Sequence, residues 1–82
     1  MVNVIFLNLL RSKYNIKHIE VLPGTINNII EQIQIKYSEV LLEDFRFSVV
    51  FVNSNRVVDQ FKFDEVVNDS DEVVFTHFVG GG

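Results

Sequence analysis

Between residues 26 and 37 the sequence takes up a helical period, more clearly than anywhere else in the chain. Ile26, Ile29, Ile30, Ile33 and Tyr37 recur at spacings of three and four, and Asn27, Asn28, Glu31, Gln32, Gln34 and Lys36 fill the remainder. This pattern predicts one amphipathic helix with a single apolar stripe. The stripe is built mainly of β-branched isoleucine, so packing against a sheet must supply what helix propensity does not. Pro23-Gly24 reads as the turn before it, and Thr25 as its N-cap. Asn28, three residues after the cap, is not the Glu or Gln of a full capping box.

The sequence around that helix reads mostly as strand. Residues 1–10 are apolar on both alternating sets, Val2, Val4 and Phe6 against Ile5, Leu7 and Leu9. One set must face the core; the other is covered or forms an interaction surface. Residues 11–15 suit a short turn, and 16–22 alternate as a second strand paired with the first. Residues 38–47 are the hardest to assign, with Val40, Leu41 and Leu42 expected to pack as a short turn under the sheet. Residues 47–52 form a nearly continuous apolar run, read as a central strand, and 53–55 are a tight connection into a short strand at 56–58. Phe61 and Phe63 fall in a loop or short edge strand, 66–71 are turn-like, and 72–79 are the last strand. One helix on one face of a mixed sheet of four to five strands, with first and last strands parallel at the centre, is an α+β fold of the β-grasp (ubiquitin-like) kind. The expected division is a β-grasp domain over 1–79 and a glycine tail over 80–82.

At 82 residues there is room for one domain, which buries only about 60–65% of its unfolded surface. With no Cys, there is no disulfide, thiolate metal site or cysteine nucleophile, so apolar packing must hold the fold. Arg11 and Lys13 follow the apolar run at 4–10 rather than precede it, which is unlike a secretion signal, and no apolar stretch is long enough to span a membrane. A cytoplasmic protein is expected. The formal net charge is −4, concentrated at Asp59, Asp64, Glu65, Asp69, Asp71 and Glu72 with only Lys62 opposing. No basic stripe exists for nucleic acid. The acidic segment is either a solvated surface or a patch that steers toward a basic partner.

Familiar catalytic patterns are absent. His18 and His77 lie on separate predicted strands, and a two-histidine metal site would require both strands to present them together. The serines have no elbow or triad context, and Asp69, Asp71 and Glu72 match no calcium loop. In the last strand Val73, Phe75 and His77 share one face and Val74, Thr76 and Phe78 the other, so one phenylalanine is expected to be exposed beside the doubly apolar first strand. Such a surface would suit docking. Three of the four glycines are the final residues Gly80, Gly81 and Gly82. They are either a frayed end or a segment without side chains able to thread a narrow channel.

Several motifs, in order, resemble the ubiquitin-like sulfur-carrier family. They are Val2-Asn3-Val4-Ile5-Phe6-Leu7 with Leu10-Arg11; Leu22-Pro23-Gly24-Thr25-Ile26 before Ile29-Ile30; and Val50-Phe51-Val52-Asn53 with Arg56-Val57-Val58. Asp69-Ser70-Asp71-Glu72-Val73, then Phe75 and Val79-Gly80-Gly81-Gly82, complete the series. The chain looks most like the small subunit of molybdopterin synthase, which shares the extra residues around 38–47. The ending from Phe78 to Gly82 is similar to the thiamine-pathway carrier, which is typically shorter. His77-Phe78 stands where the molybdopterin subunit usually has two prolines, and Ser70 where the family commonly has Gly.

The resemblance implies that the chain acts as a co-substrate, not a standalone enzyme. A ubiquitin-activating-like adenylyltransferase would consume ATP to adenylate the carboxylate of Gly82, and a sulfur donor protein would convert it to a thiocarboxylate. No cofactor would be bound stably. The large subunit of molybdopterin synthase would receive the tail and pass sulfur to precursor Z; thiamine thiazole or another acceptor is the alternative. An interaction module or protein modifier without sulfur transfer is a further one. Gly81 would thread beside Gly82, with Phe75, Val79 and Gly80 in the same contact region. Leu7 and Thr76 fall where the family has exposed contacts to its partners. Thr76 replaces an aromatic, so Phe78 would take over part of that contact. Arg11 either joins the docking surface or is a solvated side chain.

Overall fold

The structure, a computed structural model, describes residues 1–53, 56–58 and 64–77. In chain order the elements are β1 (Val2–Phe6), α1 (Leu9–Tyr14), β2 (His18–Val21), β3 (Gly24–Thr25), α2 (Ile26–Lys36), α3 (Leu42–Arg46), β4 (Val49–Val52), β5 (Arg56–Val58), β6 (Val66–Val67) and β7 (Glu72–Thr76). Five strands form one sheet in the order β2-β1-β7-β4-β5, and β3 pairs with β6 in a separate two-stranded ladder. β1 and β7 run parallel at the centre, with Val4 opposite Val73 and Phe6 opposite Phe75. The remaining neighbours in the sheet are antiparallel. This is the β-grasp arrangement.

Period-two alternation fixes which side of each strand meets the helix. Val2, Val4 and Phe6 are buried on β1, Ile19 and Val21 on β2, Val50 and Val52 on β4, and Val73 and Phe75 on β7. They share one core with Ile26, Ile29, Ile30 and Ile33 of α2. Each such side chain contributes about 1.5–3 kcal/mol by leaving water, which offsets the poor helix propensity of the isoleucines. Phe75 stacks on Phe6 with ring centroids 5.9 Å apart and meets Phe45 edge-on at 5.1 Å. The rings therefore tie the two central strands to α3.

The helix α2 starts at Thr25, whose Oγ1 accepts from the Asn28 amide at 3.1 Å. Contrary to the sequence reading, the box is closed: Asn28 Oδ1 accepts from the Thr25 amide at 3.1 Å. Asparagine is one methylene shorter than glutamine, yet it reaches because Gly24 leaves room. A Cβ at Gly24 would lie 2.9 Å from Asn28 Oδ1 and 3.1 Å from Asn28 Cβ.

Other expectations are corrected. Residues 11–15 are not a simple turn: α1 spans Leu9–Tyr14 and ends at Asn15, whose φ of 55° is the left-handed C-cap that Asn tolerates. The strand expected from residue 1 to 10 accordingly stops at Phe6. The strand expected from 47 begins at Val49, because the amides of Phe47 and Ser48 are taken by the carbonyls of Glu43 and Phe45 at the end of α3. Leu41 and Leu42 do not pack under the sheet and remain 47% and 43% exposed; Phe45 fills that space. Val66 and Val67 form β6 rather than a turn, with Val67 buried. Phe61 and Phe63 lie outside the described residues. Among the described residues, no helix is long and apolar enough to cross a membrane.

Candidate functional site

The central parallel pair brings the end of β1 and the end of β7 to the same end of the sheet. The Leu7 amide donates to the Phe75 carbonyl at 2.9 Å, extending the parallel ladder by one step. The next residue, Asn8, turns the chain into α1 with φ 56° and ψ −123°. Its carbonyl accepts from the Ser12 amide at 3.0 Å and from Ser12 Oγ at 3.1 Å. Its side chain does not cap α1. Instead Asn8 Nδ2 donates to Thr76 Oγ1 and to the His77 carbonyl, both at 2.8 Å.

The other flank is built by α1 and α3. The half-buried His77 ring places Nε2 2.9 Å from the Asp44 carbonyl oxygen. A carbonyl only accepts, so Nε2 carries a hydrogen; Nδ1 is buried and has no hydrogen-bond partner among the described residues. Asp44 Oδ2 accepts from Tyr14 Oη at 2.5 Å and from Lys13 Nζ at 2.9 Å, and Tyr14 Oη accepts from the Leu41 amide at 3.1 Å. The Tyr14 hydrogen bond, aided by Lys13, holds the Asp44 carboxyl below the usual carboxylate range. Asp44 and then Tyr14 raise the Lys13 ammonium above its ordinary value.

On the sheet face away from α2, Ile5, Val74 and Phe51 stand side by side across β1, β7 and β4, all half-buried, and Thr76 stands opposite Val49. Leu7 follows at the end of β1 and is 38% exposed. Beside α3 an open cleft of about 350 Å³ is lined by Leu41, Leu42, Glu43 and Arg46.

The predicted residues divide three ways. Leu7 and Thr76 do meet at this edge, and Arg11 is exposed on α1, which starts there. Phe75 does not belong to a docking surface: it is fully buried, since its register opposite Phe6 turns it toward α2. Phe78, Val79, Gly80, Gly81 and Gly82 lie outside the described residues. His18 is exposed on β2, its Nε2 against Asn3 Oδ1, and β1 separates that strand from β7. Among the described residues no group of three or more His, Cys, Asp or Glu is placed to hold a metal ion.

A family model described as the ThiS family matches residues 4–82. The chain belongs to the ThiS family. It is a ubiquitin-like sulfur carrier by that membership. A chain from the crystal structure of the Amycolatopsis orientalis BexX/CysO complex is 28% identical and superposes with a TM-score of 0.70, the match covering 100% of both chains. No curated protein is significantly similar in sequence.

For this ThiS-family chain, the sequence reading missed Asn8, Tyr14 and Asp44. A polar residue before a helix was the available signal for Asn8, but α1 has only six residues, too few to show a period. Tyr14 and Asp44 meet across 30 positions of sequence, and no local pattern announces that pairing.

Proposed function

We propose that this ThiS-family chain is the sulfur-donating small subunit of molybdopterin synthase. In this reading the carboxylate of Gly82 attacks the α-phosphorus of ATP on a ubiquitin-activating-like enzyme, and pyrophosphate leaves. The terminal sulfur of a donor-protein persulfide then attacks the acyl carbon and AMP leaves, giving an acyl disulfide. A second thiol attacks the donor-side sulfur, so the S–S bond breaks, a disulfide forms on the donor and the thiocarboxylate leaves, for the large subunit to use on precursor Z. A carboxylate is a poor electrophile, and adenylation supplies the leaving group it lacks. The carrier contributes a handle and a reach.

The observation that supports this reading best is the parallel β1–β7 pair, which brings His77, five positions before Gly82 in the sequence, to the end of the sheet beside a half-buried apolar face. Ile5, Val74, Phe51 and the exposed Leu7 are suited to a partner's surface. The similar Amycolatopsis orientalis chain comes from a structure of a complex, consistent with a carrier that works by docking. The residues at 38–47, which include α3 and the Asp44 carbonyl that holds the His77 ring, favour the molybdopterin acceptor, whose small subunit they resemble in length there. The ending Phe78-Val79-Gly80-Gly81-Gly82 favours a second reading, a carrier for thiamine thiazole or another acceptor.

ATP–pyrophosphate exchange with the cognate activating enzyme tests the shared step. Deleting Gly82 should abolish exchange and leave the unfolding midpoint unchanged, because a surface terminus contributes little to stability. Full exchange by the deletion variant would overturn the reading. Supplying the large subunit with precursor Z, or thiazole synthase with its substrates, then separates the two acceptors.

A further inference from the structure

We infer that Asn8 is a positioning residue: it latches the end of β7 and fixes Thr76 and His77, the latter of which stands five positions before Gly82 in the sequence. The inference rests on the sulfur-carrier reading and adds a residue to it. Three features of Asn8 converge. It occupies the N-cap of α1, where an asparagine side chain ordinarily accepts from its own helix, yet no such bond is made. It holds φ 56° and ψ −123°, a conformation that favours glycine and strains other residues. Its amide nitrogen is spent on residues 68 and 69 positions away, Thr76 Oγ1 and the His77 carbonyl, at 2.8 Å each. Local helix stability would be served by a capping serine or aspartate, and backbone ease by glycine. The asparagine serves neither as well as it serves β7.

His77 is thereby held from two sides. Asn8 takes its carbonyl from the α1 flank, and the Asp44 carbonyl takes its ring from the α3 flank. Gly82 is the fifth residue after His77, a reach of at most about 17 Å when extended. Motion at the root of such a segment is carried to its tip, so a fixed root confines the volume that the terminal carboxylate searches. Restricting that search raises the fraction of docked carriers with the carboxylate in line with the α-phosphorus. Docking itself uses the sheet face around Ile5, Val74 and Phe51, which the latch meets only at the Thr76 hydroxyl. The latch therefore acts on turnover more than on affinity.

The test compares Asn8→Gly and Asn8→Asp with the full wild-type chain as the varied substrate of its activating enzyme. Glycine removes both hydrogen bonds and relieves the positive φ, so the two effects on stability oppose each other and the variant folds. Aspartate keeps the size and the tolerance of positive φ but offers no donor, and it sets a carboxylate against the His77 carbonyl. Both variants should lower kcat about threefold to tenfold with KM within about twofold of wild type. In both, the backbone amide of His77 should show increased mobility by NMR relaxation. A kcat equal to wild type for both variants, or a KM change with kcat intact, would overturn the latch while leaving the carrier reading standing. Failure of the wild type to be adenylated would instead overturn the carrier reading, and the latch is then decided by His77 mobility alone: unchanged mobility in Asn8→Gly contradicts it.

Discussion

Ser70 holds a φ of 70° in the turn before β7. The left-handed conformation costs a non-glycine residue about 1–2 kcal/mol, while glycine loses about 0.5–1 kcal/mol more backbone entropy on folding. Ser70→Gly should therefore stabilise the chain by about 0.5–1 kcal/mol in urea unfolding. Its amide bond to the Met1 carbonyl, 3.1 Å, does not depend on the side chain. At Asp44 the folded-state carboxyl is held low, first by Tyr14 and then by Lys13. A depressed folded value means that the associated stability is present above the unfolded value, near pH 4, and is lost as pH falls through the lower folded one. Tyr14→Phe removes that hydrogen bond and an acceptor for the Leu41 amide, and should cost about 1–2 kcal/mol at neutral pH. The gap between wild type and Tyr14→Phe should narrow as unfolding is measured at successively lower pH below about 4. A gap that widens on acidification would contradict the assignment.

Elements differ in how plainly the sequence announces them, and length explains most of it. The helix α2 has eleven residues and one apolar face, so its period is visible. Strands β1, β2, β4 and β7 alternate or run apolar for four or five residues and sit close to where the pattern puts them. The helices α1 and α3 are short, and their ends are set by partners distant in sequence, such as Asp44 for Tyr14. The ladder of β3 and β6 has two residues per strand and exists because Val67 is buried beside the start of α2. The capping box was legible at Thr25 but not at Asn28, since its closure depends on the missing Cβ of Gly24. Gly24→Ala should push the Asn28 side chain away and cost about 1 kcal/mol, the usual worth of an N-cap. Thr25→Ala should cost a similar amount, and the double variant less than the sum, because both break one motif. Phe45→Ala, which removes the ring packed edge-on against Phe75, should cost about 3–5 kcal/mol.

At the scale of the whole molecule the chain is a packed handle with its core on the α2 side and a half-buried apolar face on the other. The family motifs made that division legible in outline, and the parallel register of β1 and β7 gives it direction. The exposed Leu7 lies beside the root of the terminal segment, so Leu7→Asp should leave the fold intact and raise KM for the activating enzyme about tenfold or more, as charge at an interface anchor does. The proposed reacting group is the terminal carboxylate of Gly82. Intact-mass measurement tests its conversion after the full chain is incubated with ATP, its cognate activating enzyme and the sulfur donor. A sulfur carrier should yield a species heavier by the replacement of one oxygen with one sulfur, localised to Gly82 and absent when ATP is omitted. A chain whose mass is unchanged under those conditions, with the activating enzyme shown to be competent, would contradict the proposal.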